Sequence, residues 1–94
     1  MVHVLKLLSK YYYDSLVNTK TFEIRKNDRG FRIGDILKLV EINPDLKDDK
    51  MQLEGVTGRY HYKLITCILD DEEYLKEGYV CLGLQPVSKE YMEG

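Results

Sequence analysis

Few of the residues that build the commonest small-protein sites are present in this sequence. Its 94 residues include two cysteines, two histidines, two prolines and no tryptophan. Cys67 and Cys81 form no CxxC pair, and His3 and His61 do not have the short His-x₃₋₅-His spacing of a zinc site. We therefore expect no metal and no other cofactor, and we expect both cysteines to be small apolar residues in a reducing cytosol.

Long apolar runs and glycine-rich phosphate loops are also missing. No apolar stretch approaches the ~20 residues that cross a bilayer, and the apolar start over residues 1–8 is too short for a signal sequence. We therefore expect a cytoplasmic protein with no membrane partner. Residues 30–34 (GFRIG) lack the spacing and the Lys-Ser/Thr ending of a phosphate-binding loop, and no serine has a His and an Asp at a recognisable catalytic spacing.

The remaining composition is typical of one small folded domain with an uneven charge distribution. Hydrophobic residues make up 44% and charged residues 32%, which excludes a disordered chain. The net charge of −2 argues against a generally basic nucleic-acid binder. However, residues 18–34 carry five basic and two acidic side chains, whereas residues 70–94 carry two basic and seven acidic ones. This polarity suits an anion held at one place, and the alternative is a pair of solvated surface loops.

Hydropathy patterns predict a β-rich domain with one early helix. The helix is expected over residues 10–17, with Ser9 as its N-cap and Asn18 in the left-handed conformation that closes it. Within the second predicted strand, Phe22 and Ile24 point one way and Glu23 points the other, which indicates a half-buried strand with a polar face. The predicted strands cover residues 2–8, 20–26, 36–42, 57–69 and 79–85, with a short edge piece at 51–54.

The order of these segments favours a single mainly β domain over residues 1–94, with a core of about 3–85. Residues 43–50 form a charged loop, residues 70–76 an acidic turn, and the tail after Pro86 is expected to fray. Because most connections join neighbouring strands, we expect a largely antiparallel sheet of five to six strands. A chain of this size removes its sheet edges most simply by closing into a barrel.

The densest polar feature is the pattern Lys20-x-x-Glu23-x-Arg25. Glu23 and Arg25 share one face of an extended strand, at roughly 6.5–7 Å. On a regular strand the Lys20 side chain would point to the opposite face, because Lys20 lies an odd number of residues from both. However, Lys20 directly follows the helix, so its side chain can turn toward the side of Glu23 and Arg25. Two cations and one carboxylate suit a phosphate or the edge of a nucleobase. The alternative is a surface salt-bridge ladder worth well under ~1 kcal/mol per pair.

Tyrosine is the second signal, with eight in the chain. Residues 11–13 are three consecutive tyrosines, so a helix must turn at least one toward solvent or a cleft. Tyr60 and Tyr62 alternate with Arg59, His61 and Lys63, which is the kind of pattern that stacks on unpaired bases. The alternative is that these tyrosines pack with the hydroxyl at the surface.

The motif over residues 18–25 (NTKTFEIR) resembles the G-x-K-x-x-E-x-R motif of the ASCH domains, a branch of the PUA-like β-barrel superfamily. The longer run over 20–29, followed by Gly34-Asp35, is similar to a small stand-alone branch of unknown function found in bacteria and phages. The opening His3-x-Leu5-Lys6 and the segments 68–71 and 77–83 also match that branch. One position departs from the motif, because Asn18 stands where the motif has glycine; Asn tolerates the same left-handed turn.

This resemblance implies a closed PUA-like barrel with an N-terminal helix beside it, and a cleft between helix and barrel that holds RNA or a nucleotide-like ligand. Carried over by position, Lys20, Glu23 and Arg25 are the cleft residues. Some ASCH relatives hydrolyse acetylated cytidine with a Lys-Thr-Glu set. Lys20 matches their lysine and Glu23 stands in place of their threonine, while their later glutamate has no assigned counterpart among Glu72, Glu73 and Glu77.

We therefore expect a non-catalytic module that binds RNA or a nucleotide-like small molecule. Lys20 and Arg25 would hold phosphate or carbonyl oxygens, and Glu23 would accept a hydrogen bond from a donor edge. Five further side chains are expected to extend the positive field or to supply a stacking face: Arg29, Arg32 and Arg59 for the field, and Tyr12 or Tyr60 for stacking.

Two other functions stay open. One is a small amidohydrolase acting on a modified nucleoside, or a ribonuclease, with Lys20 as base or nucleophile beside Glu23. The other is an interaction protein whose acidic loop at 70–77 meets a protein partner.

Overall fold

The computed structural model describes residues 1–46 and 55–94. These residues form five strands and two helices, so the prediction of a mainly β fold is confirmed. The charged loop begins with a single 3₁₀ turn, Pro44–Leu46; its remainder and the edge piece predicted at 51–54 lie outside the described residues. In chain order the elements are β1 (Val2–Leu8), α1 (Ser9–Leu16), β2 (Phe22–Lys26), β3 (Ile36–Ile42), β4 (Val56–Leu69), β5 (Tyr79–Val87) and α2 (Lys89–Glu93).

All five strands belong to one sheet in the order β1-β3-β4-β5-β2. The β1–β3 pairing is parallel, with Leu5 opposite Leu39, and the other three pairings are antiparallel. The parallel pair arises because α1 and β2 intervene between β1 and β3 in the chain, which supplies the long crossover that parallel strands need. The sheet curls into a half-barrel, and its hydrogen-bond ladder does not continue from β2 to β1 within the described residues.

Two arginine side chains bridge the edge strands where the ladder stops. Arg25 Nη2 donates to the Lys6 carbonyl oxygen at 2.8 Å, and Arg29 Nη1 donates to the Val4 carbonyl oxygen at 3.0 Å. Both carbonyls belong to β1, whereas Arg25 lies on β2 and Arg29 follows it. The two edges of the half-barrel are therefore joined by side chains, which leaves room between them for a cleft.

The core fills the concave face of the sheet. Leu37, Leu39, Ile65 and Leu82 are completely buried there. Burial of such side chains contributes roughly 1.5–3 kcal/mol each, so this cluster is the main stabilising feature of a small domain. The surrounding buried residues are Leu5, Leu7, Tyr12, Phe31, Val80 and Leu84.

The parity predicted for β2 is confirmed, but the buried face is the polar one. Glu23 is 3% exposed, while Phe22 and Ile24, which alternate with it along the strand, are 44% and 52% exposed. Glu23 lies opposite Leu82 of β5, at the point where the interior turns from apolar to polar. The carboxylate is tolerated there because Lys20 and Arg25 neutralise it.

The start of the first helix and the C-terminal tail differ from expectation, whereas the residue that closes the first helix does not. Helix α1 starts at Ser9 itself, whose hydroxyl donates to the Ile42 carbonyl oxygen at 3.1 Å instead of capping the helix. Asn18 has a φ of 65°, as predicted. The tail expected to fray after Pro86 instead continues β5 and forms α2, because Ser88 caps that helix and Glu93 accepts hydrogen bonds from two β4 tyrosines, Tyr60 and Tyr62. Neither helix of the described ranges is long and apolar enough to cross a membrane.

Candidate functional site

A cleft of about 470 Å³ opens between the two edge strands and the first turn of α1. We call it the edge cleft. Glu23 lies at its centre, flanked by Lys20 and Arg25. The structure thus brings together the three residues that the sequence pattern singled out. The remaining lining residues are Lys6, Leu7 and Leu8 of β1, Tyr11 of α1, and Phe22 and Ile24 of β2.

The Glu23 carboxylate gathers the two cations. Its Oε1 accepts from Arg25 Nη2 at 2.8 Å and from Arg25 Nε at 3.0 Å, while Oε2 accepts from Lys20 Nζ. The Lys20 and Arg25 side chains are 17% and 24% exposed, so both charges sit at the boundary between interior and solvent. Two cations around one carboxylate leave an excess positive charge at the mouth of the cleft, which favours a ligand with anionic or carbonyl oxygens.

Local backbone geometry explains how Lys20 reaches this cluster from a position of opposite parity. The left-handed Asn18 ends α1, and the Lys20 amide then donates to the Asp14 carbonyl oxygen at 2.8 Å. The chain is thereby folded back on the helix before β2 begins. Lys20 Nζ also donates to the Phe22 carbonyl oxygen at 2.6 Å, which holds the ammonium over the start of the strand.

Two aromatic rings flank the lysine, and the sequence reasoning missed both as site residues. Lys20 Nζ lies 5.9 Å from the Tyr11 ring centroid and 5.0 Å from the Phe22 ring centroid. Tyr11 is 43% exposed, so both rings present a face to the cleft or its rim. The signal was available in part, because three consecutive tyrosines must send one ring off the buried face of a helix. Tyr11 and Tyr13 both leave the buried face, and Tyr11 is the one that lines the cleft, whereas the expected stacking residue was Tyr12.

Comparison with protein-family models decides the family. The model described as "Domain of unknown function (DUF3850)" matches residues 2–84. The chain belongs to the DUF3850 family. The match runs from the start of β1 to within β5, so it contains every residue of the edge cleft and leaves α2 outside. No curated protein matches the chain.

Within the DUF3850 domain, the two tyrosines predicted to stack are placed elsewhere. Tyr12 is only 2% exposed and packs edge-on against His61 at 4.8 Å, so its faces are not available to a base. Tyr60 lies on the outer face of β4, where its hydroxyl donates to Glu93 and Lys89 Nζ lies 4.0 Å from its ring centroid. Neither tyrosine lines the edge cleft, so stacking of Tyr12 or Tyr60 on a ligand stays a prediction.

The three outer arginines also separate. Arg29 lies beside Arg25 through its bond to β1, but it does not line the edge cleft, and its Nε lies 4.0 Å from Asp28 Oδ1. Arg32 is exposed in the loop before β3 and does not line the edge cleft. Arg59 donates to both carboxylate oxygens of Glu41 at 2.8 Å, and Glu41 is 1% exposed. Although burial raises the pKa of Glu41, hydrogen bonds from Arg59 and Thr57 lower it overall, so this pair serves the fold of the domain.

A buried polar row continues inward from the edge cleft, and the sequence reasoning did not place it. Lys63 is 2% exposed and donates to Asn18 Oδ1, so the residue that replaces the motif glycine has a partner of its own. Burial, and then the charge of Lys20, lower the pKa of Lys63. His61 is 6% exposed, and burial, then the charge of Lys63, lowers its pKa to about 4. Only the alternation of side chains along β4 could have predicted that His61 and Lys63 are buried. That alternation did not show which face of β4 meets the interior, because residues 59–63 are polar or aromatic on both faces.

The acidic loop at 70–77 lies on the surface of the domain. Its charged side chains are exposed, and Tyr74 within it is 73% exposed. Within the described residues, no group of three or more His, Cys, Asp or Glu side chains has the arrangement of a metal site. The loop is accessible to a partner, and the edge cleft is the concave site at which Lys20, Glu23 and Arg25 converge.

Proposed function

We propose that the edge cleft binds RNA or a nucleotide-like small molecule, with one unpaired base at its centre. The observation that carries this proposal is the convergence of Lys20, Glu23 and Arg25 on one cavity whose walls include two partly exposed aromatic rings. Base stacking on such rings is worth ~1–3 kcal/mol per base and is tolerant of sequence. Lys20 and Arg25 supply donors for phosphate or carbonyl oxygens.

Glu23 retains the capacity to recognise the edge of a base. A carboxylate has about four acceptor sites, and the two cations occupy three of them: two on Oε1 and one on Oε2. One site on Oε2 therefore remains for an exocyclic amine. This arrangement favours a base that offers a donor beside a carbonyl acceptor, because the carbonyl then accepts from Lys20 or Arg25.

The size and charge of the domain favour a short, single-stranded ligand. A cavity of about 470 Å³ suits one nucleotide, and stacking needs a base face that a duplex does not expose. The acidic residues over 70–94 oppose a long phosphate backbone elsewhere on the surface. A relationship to the ASCH domains, with a closed PUA-like barrel, is part of this proposal, and the arginine bridges between β1 and β2 support it by bringing the two edges together.

The direct test is the Lys20→Ala variant, titrated with a fluorescently labelled short single-stranded RNA. Loss of a charge-assisted hydrogen bond worth about 1.5–3 kcal/mol is expected to weaken binding by about 10- to 100-fold. If Lys20 contacts a phosphate, the slope of log K against log salt should become shallower by about 0.7. Lys20 is a cleaner probe than Arg25, because Arg25 also bridges to β1.

Arg32→Ala is the matched control, since it removes the same charge from an exposed position outside the cleft lining. Its affinity should change by less than about 3-fold. Equal losses in the two variants would show that only general charge matters, and the cleft would then not be the binding site.

The same proteins separate binding from catalysis. Incubation with acetylated cytidine and with short RNAs should leave both compounds intact if the domain is a binding module. Turnover by the unmodified protein that is lost in Lys20→Ala would instead assign the amidohydrolase or ribonuclease activity, with Lys20 as base or nucleophile.

A further inference from the structure

A second and larger cavity, of about 680 Å³, lies between α1, β4 and the start of α2. We call it the β4 groove. Helix α1 contributes Tyr11 to the edge cleft but Tyr12 and Leu16 to the groove, and no residue of the ranges 1–46 and 55–94 lines both cavities. The rest of the groove is formed by the β4 residues 58–63, the end of β5 and the first residues of α2.

The inner wall of the groove carries two polar side chains with unused hydrogen-bonding capacity. His61 is 94% buried; its Nε2 lies 2.8 Å from Ser15 Oγ, and its Nδ1 is buried with no hydrogen-bond partner in the described part of the chain. Lys63 is 98% buried, and of its three ammonium donors one is used by Asn18. A buried polar atom left without a partner costs about 1–3 kcal/mol, so natural proteins rarely retain one without a reason.

The charges that line the groove favour a negative ligand. Among the described residues, three cationic side chains and one carboxylate line the groove: Arg59, Lys63 and Lys89, and Glu90. Arg59 is engaged with Glu41, and Lys89 lies close enough to Glu93 to interact with its carboxylate, so Lys63 is the groove cation that has no carboxylate partner among the described residues. Lys89 is held over the Tyr60 ring at the rim, while Lys63 lies at the base. The apolar walls exclude water from the base and would strengthen an ionic contact there.

We propose that the β4 groove binds a small oxyanion, a carboxylate or a phosphate group, through Lys63 and the free ring nitrogen of His61. The oxyanion selects the histidine tautomer in which Nδ1 carries the proton and Nε2 accepts from the Ser15 hydroxyl. One oxygen then accepts from His61 Nδ1–H and another from the Lys63 ammonium. The site shares no lining residue with the edge cleft in the described part of the chain, although the charges of Lys20 and Lys63 lie close enough to interact. The proposal does not depend on the function proposed for the edge cleft.

The test is a titration of ¹⁵N-labelled protein, first with inorganic phosphate and then, in a second series, with acetate. Saturable shifts are expected for the amides of residues 58–63 and for the His61 ring nitrogens, with Nδ1 taking the chemical shift of a protonated nitrogen. Phosphate binding alone would identify a phosphate site, and acetate binding alone a carboxylate site.

Lys63→Met tests the ammonium directly, because methionine keeps much of the side-chain volume and removes the buried charge. It should weaken the saturable response at least 10-fold. Lys26→Met, on the exposed side of β2, is the matched control and should bind as the unmodified protein does. Should Lys63→Met fail to fold, the ring-nitrogen response of the unmodified protein still decides. Non-saturating shifts, shifts confined to the edge cleft, or an undiminished response in a folded Lys63→Met would overturn the proposal.

Discussion

Replacement of Glu23 by alanine is expected to lower the free energy of unfolding by about 3 kcal/mol and to abolish ligand binding in the edge cleft. The carboxylate is almost completely buried and accepts three hydrogen bonds from Lys20 and Arg25. Removing one partner of a buried ionic cluster costs about 3–5 kcal/mol, because the remaining charges lose their counter-charge. Both cations here retain some exposure, which places the expected loss at the lower end of that range.

Two further variants accompany this test: one separates the charge of Glu23 from its shape, and the other is a control at an exposed carboxylate. Glu23→Gln keeps the volume and one acceptor oxygen, so it should cost less than Glu23→Ala but still weaken binding, because the amide nitrogen cannot accept from a cation. Glu77→Ala removes a carboxylate from the exposed acidic loop and should change stability by less than about 0.5 kcal/mol. Urea unfolding followed by circular dichroism measures all three. A Glu23→Ala protein as stable as Glu77→Ala would show that the cluster contributes nothing to the fold.

Acidification from pH 7 to pH 5 is expected to destabilise the domain by about 2 kcal/mol through His61 alone. Burial lowers the pKa of His61 to about 4 in the folded protein, against about 6.5 in the unfolded chain. Between these two values the unfolded state binds more protons than the folded state, so stability falls as the pH falls. Below about pH 4 both states are protonated, and His61 causes no further loss.

The pH range in which His61 destabilises the domain differs from the pH range in which the carboxylates do. Hydrogen bonding, chiefly from His3, lowers the pKa of Asp35, so its contribution to stability is lost only as the pH falls below its ordinary value of 3.8. Unfolding free energies of the unmodified protein and of His61→Gln, measured at pH 7, 6 and 5, isolate the histidine. The difference between the two proteins should shrink toward pH 5. Parallel pH profiles would mean that His61 titrates normally and is not buried as described.

The sequence predicted which three side chains converge in the edge cleft better than it predicted the residues around them. Strand alternation alone placed Glu23 and Arg25 on one face, and the position of Lys20 just after the predicted helix allowed its side chain to turn toward them. The buried side of β2 was not predictable in the same way, because alternation shows that two faces differ but not which one meets the interior. Apolar residues usually take that side, and here the ionic cluster occupies it.

Features that depend on contacts between residues far apart in the sequence could not be predicted from local patterns. The burial of Tyr12 instead of Tyr11 follows from how α1 rotates against the sheet, where His61 of β4 meets its ring. The β4 register that buries His61 and Lys63 was equally undetermined, since residues 59–63 are polar or aromatic on both faces. Helix α2 depends on hydrogen bonds from Tyr60 and Tyr62 to Glu93, some thirty residues away, which no local pattern reveals.

A titration of the labelled protein with a short single-stranded RNA, followed by aromatic and methyl chemical shifts, tests the edge cleft most directly. We expect saturable chemical-shift changes for the Tyr11 and Phe22 rings and for the Ile24 methyl groups. These changes should be lost in Lys20→Ala and retained in Arg32→Ala. Shifts that avoid these three side chains, or that survive unchanged in a folded Lys20→Ala protein, would contradict it.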